Sequence, residues 1–167
     1  MAGRLTRVLT GSSGTIAGTV YGTIVAISAL AAGASAYAHE LWRLTSVVAV
    51  GSIVFWIAHV YAHSLAETIA LGRRMNVAEF ASVARREVSI VVAAILPATA
   101  LALGAANLIG DNFAVWLAFG FGMATLGIQG IRYARVEKLG PIASLIAVAI
   151  NLGLGAVIIA LKVAVSH

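Results

Sequence analysis

Long apolar stretches alternate with short polar segments along almost the whole chain. The apolar stretches cover about residues 16–37, 44–71, 88–109, 113–131 and 141–161. A helix needs about 20 apolar residues to cross the hydrocarbon core of a bilayer, and each stretch approaches or exceeds that length. The pattern therefore predicts an all-α, polytopic integral membrane protein, with one transmembrane domain of five helices over residues 1–167.

The largest internal polar segment, residues 76–87, has a helical pattern of its own. Asn76 followed by Glu79 is typical of a capping box, in which each side chain bonds the other residue's amide. Apolar positions after Val77 recur at helical spacing, with charged residues elsewhere around the helix. We expect a short amphipathic helix at the membrane interface that leads into the third span.

The basic residues are distributed very unevenly among the segments that flank these spans. Nine of the eleven Lys and Arg lie in alternate segments, which would share one side of a five-span bundle. They are Arg4, Arg7, Arg73, Arg74, Arg85, Arg86, Arg132, Arg135 and Lys138. Since positive residues concentrate on the cytoplasmic side of membrane proteins, we expect a cytoplasmic N-terminus and an outward C-terminus.

Composition supports the same class and excludes several others. The chain is 61% hydrophobic and 10% charged, whereas soluble domains average about 45–50% and about 25%. With no cysteine, disulfide frameworks and thiolate metal sites are excluded. No phosphate-binding loop, nucleophile elbow or nucleic-acid-binding motif occurs. We expect a multi-pass protein of the cell membrane whose main partner is the lipid bilayer, not a nucleic-acid-binding protein.

The first span carries a small residue at every fourth position: Gly14, Gly18, Gly22 and then Ala26. Such a ridge lets a neighbouring helix approach closely, and it predicts a packing face. We expect it to support a homo-oligomer, with a dimer favoured. A cleaved signal peptide ending near Ala34-Ser35-Ala36 is the alternative, although the apolar run exceeds the usual length of such signals.

The second span contains three ionisable residues at four-residue spacing: His59, His63 and Glu67. They share one helix face, since each step drifts by only about 40°. Ser52 extends this face towards the other end of the span. Ionisable groups within a membrane mark functional sites by default.

Three interpretations of this stripe stay open. The imidazoles could hydrogen-bond within the bundle while Glu67 pairs with Arg73 or Arg74 at the interface. Two imidazoles and a carboxylate could instead bind a divalent transition metal such as Fe, Zn or Mn. Histidine also titrates near neutrality, so the stripe could relay protons. Four histidines are too few for a membrane di-iron oxygenase, and His39 and His167 lie outside the spans, which disfavours a bis-histidine haem.

Other polar or helix-bending residues lie within the apolar stretches. Pro97 interrupts the third span, Gln129 lies near the end of the fourth, and Asn151 falls at the centre of the fifth. Proline frees a backbone carbonyl, and a buried amide bonds a neighbouring helix or a substrate. We interpret these residues as part of a transport path or of helix packing.

The topology and two spans resemble those of the vacuolar iron transporter family. The first span, GTVYGTIVAISALAAG, is similar to that family's Ala/Gly-rich first helix, with Tyr21 near the place of its aspartate. Ala58-His59 followed by His63 resembles the family's Ala-Asp followed by Met, which is linked to metal passage. Glu79 and Glu87 stand where the family has longer glutamate-rich helices. The resemblance implies metal transport by a dimer.

Together these patterns predict a small membrane transporter or channel for a divalent metal or a proton. The alternative is a non-catalytic helical protein that assembles with or stabilises a membrane partner. We do not expect an enzyme, because no nucleophile and base are placed to define a reaction.

Overall fold

The computed structural model describes residues 13–37 and 40–165, and the regular structure of these residues is helical throughout. The helices are α1 (Ser13–Ala36), α2 (Leu41–Leu71), α3 (Val77–Arg86), α4 (Ser89–Ala105), α5 (Asp111–Val136) and α6 (Pro141–Val165). The predicted roles of Arg4, Arg7, His39 and His167 fall outside the described residues.

Four of these helices, α1, α2, α5 and α6, are each long and apolar enough to cross a membrane. The helices α3 and α4 meet this criterion only together, with a 41° bend between them, so the described chain has four candidate spans or up to five. The third apolar stretch was predicted to extend to residue 109, but α4 ends at Ala105. Asn107 then adopts a left-handed conformation (φ 57°), which an α-helix cannot continue through.

Helix α1 lies at the centre of the bundle, where it contacts α2, α4, α5 and α6. Its inner side chains join a core from the surrounding helices that includes Ile27, Leu30, Leu44, Leu101, Phe119 and Leu126, all nearly inaccessible. By contrast, most apolar side chains of α6 are exposed, among them Ile142 and Leu145. Lipid is the solvent that accommodates such a surface.

The glycine ridge of α1 packs against the first turn of α4. A Cβ on Gly22 would collide with the backbone of Ile90, and one on Gly18 would collide with the Ser89 hydroxyl. This is the close backbone approach for which membrane helices use small residues. Because the ridge meets a helix of the same chain, it does not offer the dimer surface expected from the sequence.

Local signals in the sequence set the boundaries of α2 and α3. Gly72 ends α2 in the left-handed conformation (φ 63°), which glycine adopts without steric penalty. The predicted capping box at the start of α3 is confirmed. The Glu79 amide donates to Asn76 Oδ1 (2.9 Å), and the Asn76 amide donates to Glu79 Oε2 (2.8 Å). These bonds fix the direction in which the chain turns back from α2 towards α4.

Candidate metal site

Three side chains with metal-binding atoms converge between the start of α1 and the second half of α2. The sequence predicts that this end of the bundle faces the cytoplasm. His59 and His63 occupy successive turns of α2, and their ring centroids lie 4.5 Å apart. The third residue is Glu87, whose Oε2 lies 3.4 Å from His59 Nε2. One ligand atom from each residue lies within 4.8 Å of the other two.

Glu87 reaches the histidines because α3 and α4 are joined by a sharp bend. Helix α3 ends at Arg86, and the Glu87 amide donates to Val83 O (3.0 Å) as the helix stops. The bend turns the Glu87 side chain inward, where only 7% of it is exposed. Gly18 lies beside it: a Cβ there would make an ordinary contact with Glu87 Oε2 at 3.8 Å, whereas it would collide with Ser89 Oγ. The glycine ridge thus helps to shape the site as well as the helix contact.

Glu67 lies outside this group and is held by Arg86 instead. Arg86 Nη2 donates to Glu67 Oε1 (3.0 Å), and Arg86 Nε donates to Glu87 Oε1 (3.2 Å). The guanidinium therefore bridges two carboxylates, one of which also faces His59. In the described chain, the sequence-predicted pairing of His59 with His63 is present, but Glu87 takes the place expected for Glu67.

A cavity of about 280 Å³ opens on the three side chains. Its walls are Gly14, Ala17, Gly18 and Tyr21 of α1 together with His59, His63 and Glu87. The ring of Tyr21 lies 5.2 Å from that of His59. The small residues of the ridge leave this space open, so a small ion and its water ligands have room beside the imidazoles.

A buried hydroxyl adds a further polar atom close to this corner. Ser89 Oγ is inaccessible and has no hydrogen-bond partner within the described residues. It lies against Gly18, as Glu87 Oε2 does. Ser89 is not among the residues that line the cavity, so this hydroxyl belongs to the contact between α1 and α4.

The donor set suits a first-row transition metal. Neutral imidazole and carboxylate are common ligands of Zn and Fe, and three protein ligands leave coordination positions for water or an exchanging group. Donors at about 2.0–2.2 Å from a tetrahedral metal lie about 3.3–3.6 Å apart, and the His59–Glu87 distance of 3.4 Å falls in this range.

Gln129 and Asn151 lie together in a second cavity, of about 480 Å³, between α1, α5 and α6. Gln129 Oε1 accepts a bond from Arg132 (3.3 Å), and Asn151 Nδ2 donates to Ala147 O (2.9 Å). Tyr21 and Ala17 line this cavity and also the one beside the histidines. One face of α1 therefore separates the two polar regions.

The remaining predicted path residues, Ser52 and Pro97, lie within the packed interior. Ser52 Oγ donates to Val48 O of its own helix (2.7 Å), which satisfies the buried hydroxyl. Pro97 is buried inside α4. Their contacts in the structure are those of helix packing.

Comparison of the chain with models of known protein families, with curated protein sequences and with solved structures gives no significant match. The similarity to vacuolar iron transporters therefore stays a prediction from residues. The function has to be argued from the site.

Proposed function

We propose that this chain is a small membrane transporter or channel for a divalent transition metal, with His59, His63 and Glu87 as its binding site. One observation carries the proposal. Two imidazoles of α2 and a buried carboxylate from the α3–α4 bend place their ligand atoms within 4.8 Å of one another. Burying a carboxylate in an apolar bundle is costly unless a cation compensates it. Arg86 supplies one such cation, and a metal ion would supply another.

The proposed topology has five spans, in which α4 is the third, the interfacial helix α3 leads into it, and the N-terminus lies in the cytoplasm. The concentration of Lys and Arg in alternate segments supports it. In this orientation the site lies in the cytoplasmic half of the cell membrane, beside the first turns of α1 and the α3–α4 bend. A cation released there would meet the interface between membrane and cytoplasm.

The two histidines and Glu87 would contribute to ion passage in different ways. His59 and His63 donate lone pairs only when neutral, and Glu87 supplies the negative charge that attracts the cation. Tyr21 lines both this cavity and the cavity of Gln129 and Asn151, so it stands between the two polar regions. The same imidazoles and carboxylate could carry protons, so the proton is the second candidate substrate.

Transport by reconstituted protein tests the proposal. We expect proteoliposomes to take up Zn²⁺, Mn²⁺ or Fe²⁺, and we expect His59→Ala with His63→Ala, or Glu87→Gln, to lower uptake at least tenfold. Thr45→Ala is the matched control, because Thr45 lies on α2 and bonds only its own helix carbonyl at Leu41 (2.7 Å). Equal uptake by all variants would remove these three residues from any transport mechanism.

A second function, assembly with a membrane partner, is favoured by the exposed apolar faces of α2 and α6. In the most apolar stretch of α2 only 22% of the residues are buried within the bundle, and in that of α6 only 11% are. A homo-oligomer or a complex with another protein would use these faces, since the glycine ridge is already occupied. Cross-linking of the reconstituted protein, combined with metal uptake by the parent no greater than that of protein-free liposomes, would favour this function over transport.

A further inference from the structure

The corner where α5 ends and α6 begins contains a groove that the proposed metal function does not use. The groove has a volume of about 570 Å³. Gly130 brings the two helices together, since a Cβ there would lie 2.9 Å from Val148 Cα. The groove lies beyond this contact, towards the connection at residues 137–140, and Val148 forms part of its wall.

The groove combines two cations with an apolar wall. Arg135 and Lys138 line it, and both are exposed. Neither forms an ion pair with a carboxylate in the described part of the chain. The neighbouring Glu137 lines the other cavity, between α1, α5 and α6. The carboxylate nearest in sequence is therefore not among the residues that line the groove.

The remaining surface of the groove is apolar and faces outward from the bundle. Ile131 of α5 and Leu145 of α6 contribute side chains that are 45% and 70% exposed. Ser144 also lines the groove, but its hydroxyl already donates to Leu139 O (3.3 Å). Two unpaired cations at the end of an apolar groove match a molecule with an anionic head and a hydrocarbon tail.

We propose that this groove binds an anionic phospholipid. Arg135 and Lys138 would contact the phosphate, while an acyl chain would lie along Ile131, Leu145 and Val148. Charge complementarity selects an anionic headgroup over a zwitterionic one, because both phosphates attract the two basic residues but the cation of a zwitterionic headgroup offsets that attraction. The exposed apolar wall selects a lipid over free phosphate. This proposal is independent of the metal site, which uses other helices.

Lipid binding to the purified full chain in detergent tests the proposal. We expect native mass spectrometry to show retained phosphatidylglycerol in preference to phosphatidylcholine of the same chain length. The double variant Arg135→Gln with Lys138→Gln should weaken phosphatidylglycerol binding about thirtyfold, which corresponds to about 1 kcal/mol for each of the two basic residues. Arg135→Lys preserves the charge and should keep most of the binding.

The matched control is Arg74→Gln with Arg85→Gln, which removes two exposed arginines and the same net charge elsewhere. An equal loss in this control would show that diffuse positive charge, not the groove, binds the lipid. Equal retention of phosphatidylcholine, or displacement of lipid by glycerol phosphate at similar concentration, would also overturn the proposal. Helix content measured by circular dichroism identifies a variant that has failed to fold. If the double variant fails to fold, the single variant Lys138→Gln replaces it in the lipid-binding measurement.

Discussion

At the scale of single residues, Arg86 controls the charge that the candidate site presents. Its guanidinium donates to both Glu67 and Glu87, at 3.0 Å and 3.2 Å. A metal ion would compete with it for Glu87. We expect Arg86→Gln to raise metal affinity, because Glu87 then has one cation fewer beside it. Because Arg86 is 47% exposed, we expect only about a two- to fivefold effect, measured by calorimetric titration of Zn²⁺.

Glu67 should act in the opposite direction through the same guanidinium. In Glu67→Gln, Arg86 loses its second carboxylate and interacts more fully with Glu87, so metal affinity should fall by a similar factor. Arg85→Gln provides the control for long-range charge, since Arg85 is an exposed neighbour. If Arg86→Gln and Glu67→Gln shift the affinity in the same direction, Arg86 does not compete with the metal.

The contrast between Glu67 and Glu87 shows how far the sequence determines the site. Helical periodicity relates residues of one helix, and it placed His59 and His63 on a common face. It also selected Glu67, which shares that face but bonds Arg86. Glu87 belongs to another element, and its position depends on a bend that periodicity does not describe. The sequence feature that could have identified Glu87 is its position as the last charged residue before a long apolar stretch.

At the scale of helices, the α1–α4 contact depends on glycine. A Cβ on Gly22 would meet the carbonyl and Cα of Ile90, which are backbone atoms and cannot rotate away. We expect Gly22→Ala to destabilise the bundle by about 1–3 kcal/mol, the usual range for overpacking. The measurement is thermal or denaturant unfolding of the protein in detergent micelles.

Gly120→Ala is the control for that substitution. A Cβ on Gly120 meets open space, so the variant should be neutral or gain up to about 1 kcal/mol from the better helix propensity of alanine. If Gly22→Ala is as stable as Gly120→Ala, α1 and α4 do not approach as closely as the structure describes.

Helices were predictable from the sequence where a single local property determines them. Apolar length located α1, α2, α5 and α6, and the Asn76–Glu79 pattern located the start of α3. The glycine ridge was predicted as a packing face, yet its spacing carries no information about which helix would meet it. That depends on the order in which the helices pack, and here the partner is α4 of the same chain.

The start of α3 also has a defined pH dependence. The pKa of Glu79 falls from 4.5 to about 2, first because Arg73 donates to its carboxylate and then because the Asn76 amide does. A lowered pKa in the folded state means that the stabilisation is fully present above about pH 4.5. It is lost as the pH falls through about 2.

Titration of the Glu79 carboxyl by NMR measures this dependence. We expect Arg73→Gln to raise its pKa strongly towards the ordinary value. Asn76→Ala should raise the pKa less, because it keeps the Arg73 bond and the backbone amide that donates to Glu79, and loses only the side-chain oxygen that accepts from the Glu79 amide. A Glu79 that titrates near 4.5 in the parent protein would contradict the Arg73 bond first and the Asn76 amide bond with it.

At the scale of the whole molecule, the polar features concentrate at one end of the bundle. The histidine cavity, the end of α5 with the proposed lipid groove and the α3 helix all adjoin segments rich in Lys and Arg. A five-span topology with this end in the cytoplasm accounts for all three. A four-span arrangement, in which α3 and α4 enter and leave on one side, would separate them across the membrane.

Cysteine labelling distinguishes these topologies, and the chain is suited to it because it contains no cysteine. Ala78→Cys on α3, Asn112→Cys at the start of α5 and Gly140→Cys before α6 each introduce one exposed thiol. With five spans and a cytoplasmic N-terminus, a membrane-impermeant maleimide should label only Asn112→Cys in intact cells. Permeabilised cells should show labelling of all three.

Labelling of Gly140→Cys but not of the other two would place residues 78 and 112 on the same side, as expected if α3 and α4 do not cross. Labelling of the Ala78→Cys and Gly140→Cys variants alone would keep the five spans and reverse their orientation, which would move the histidine site to the outer half of the membrane.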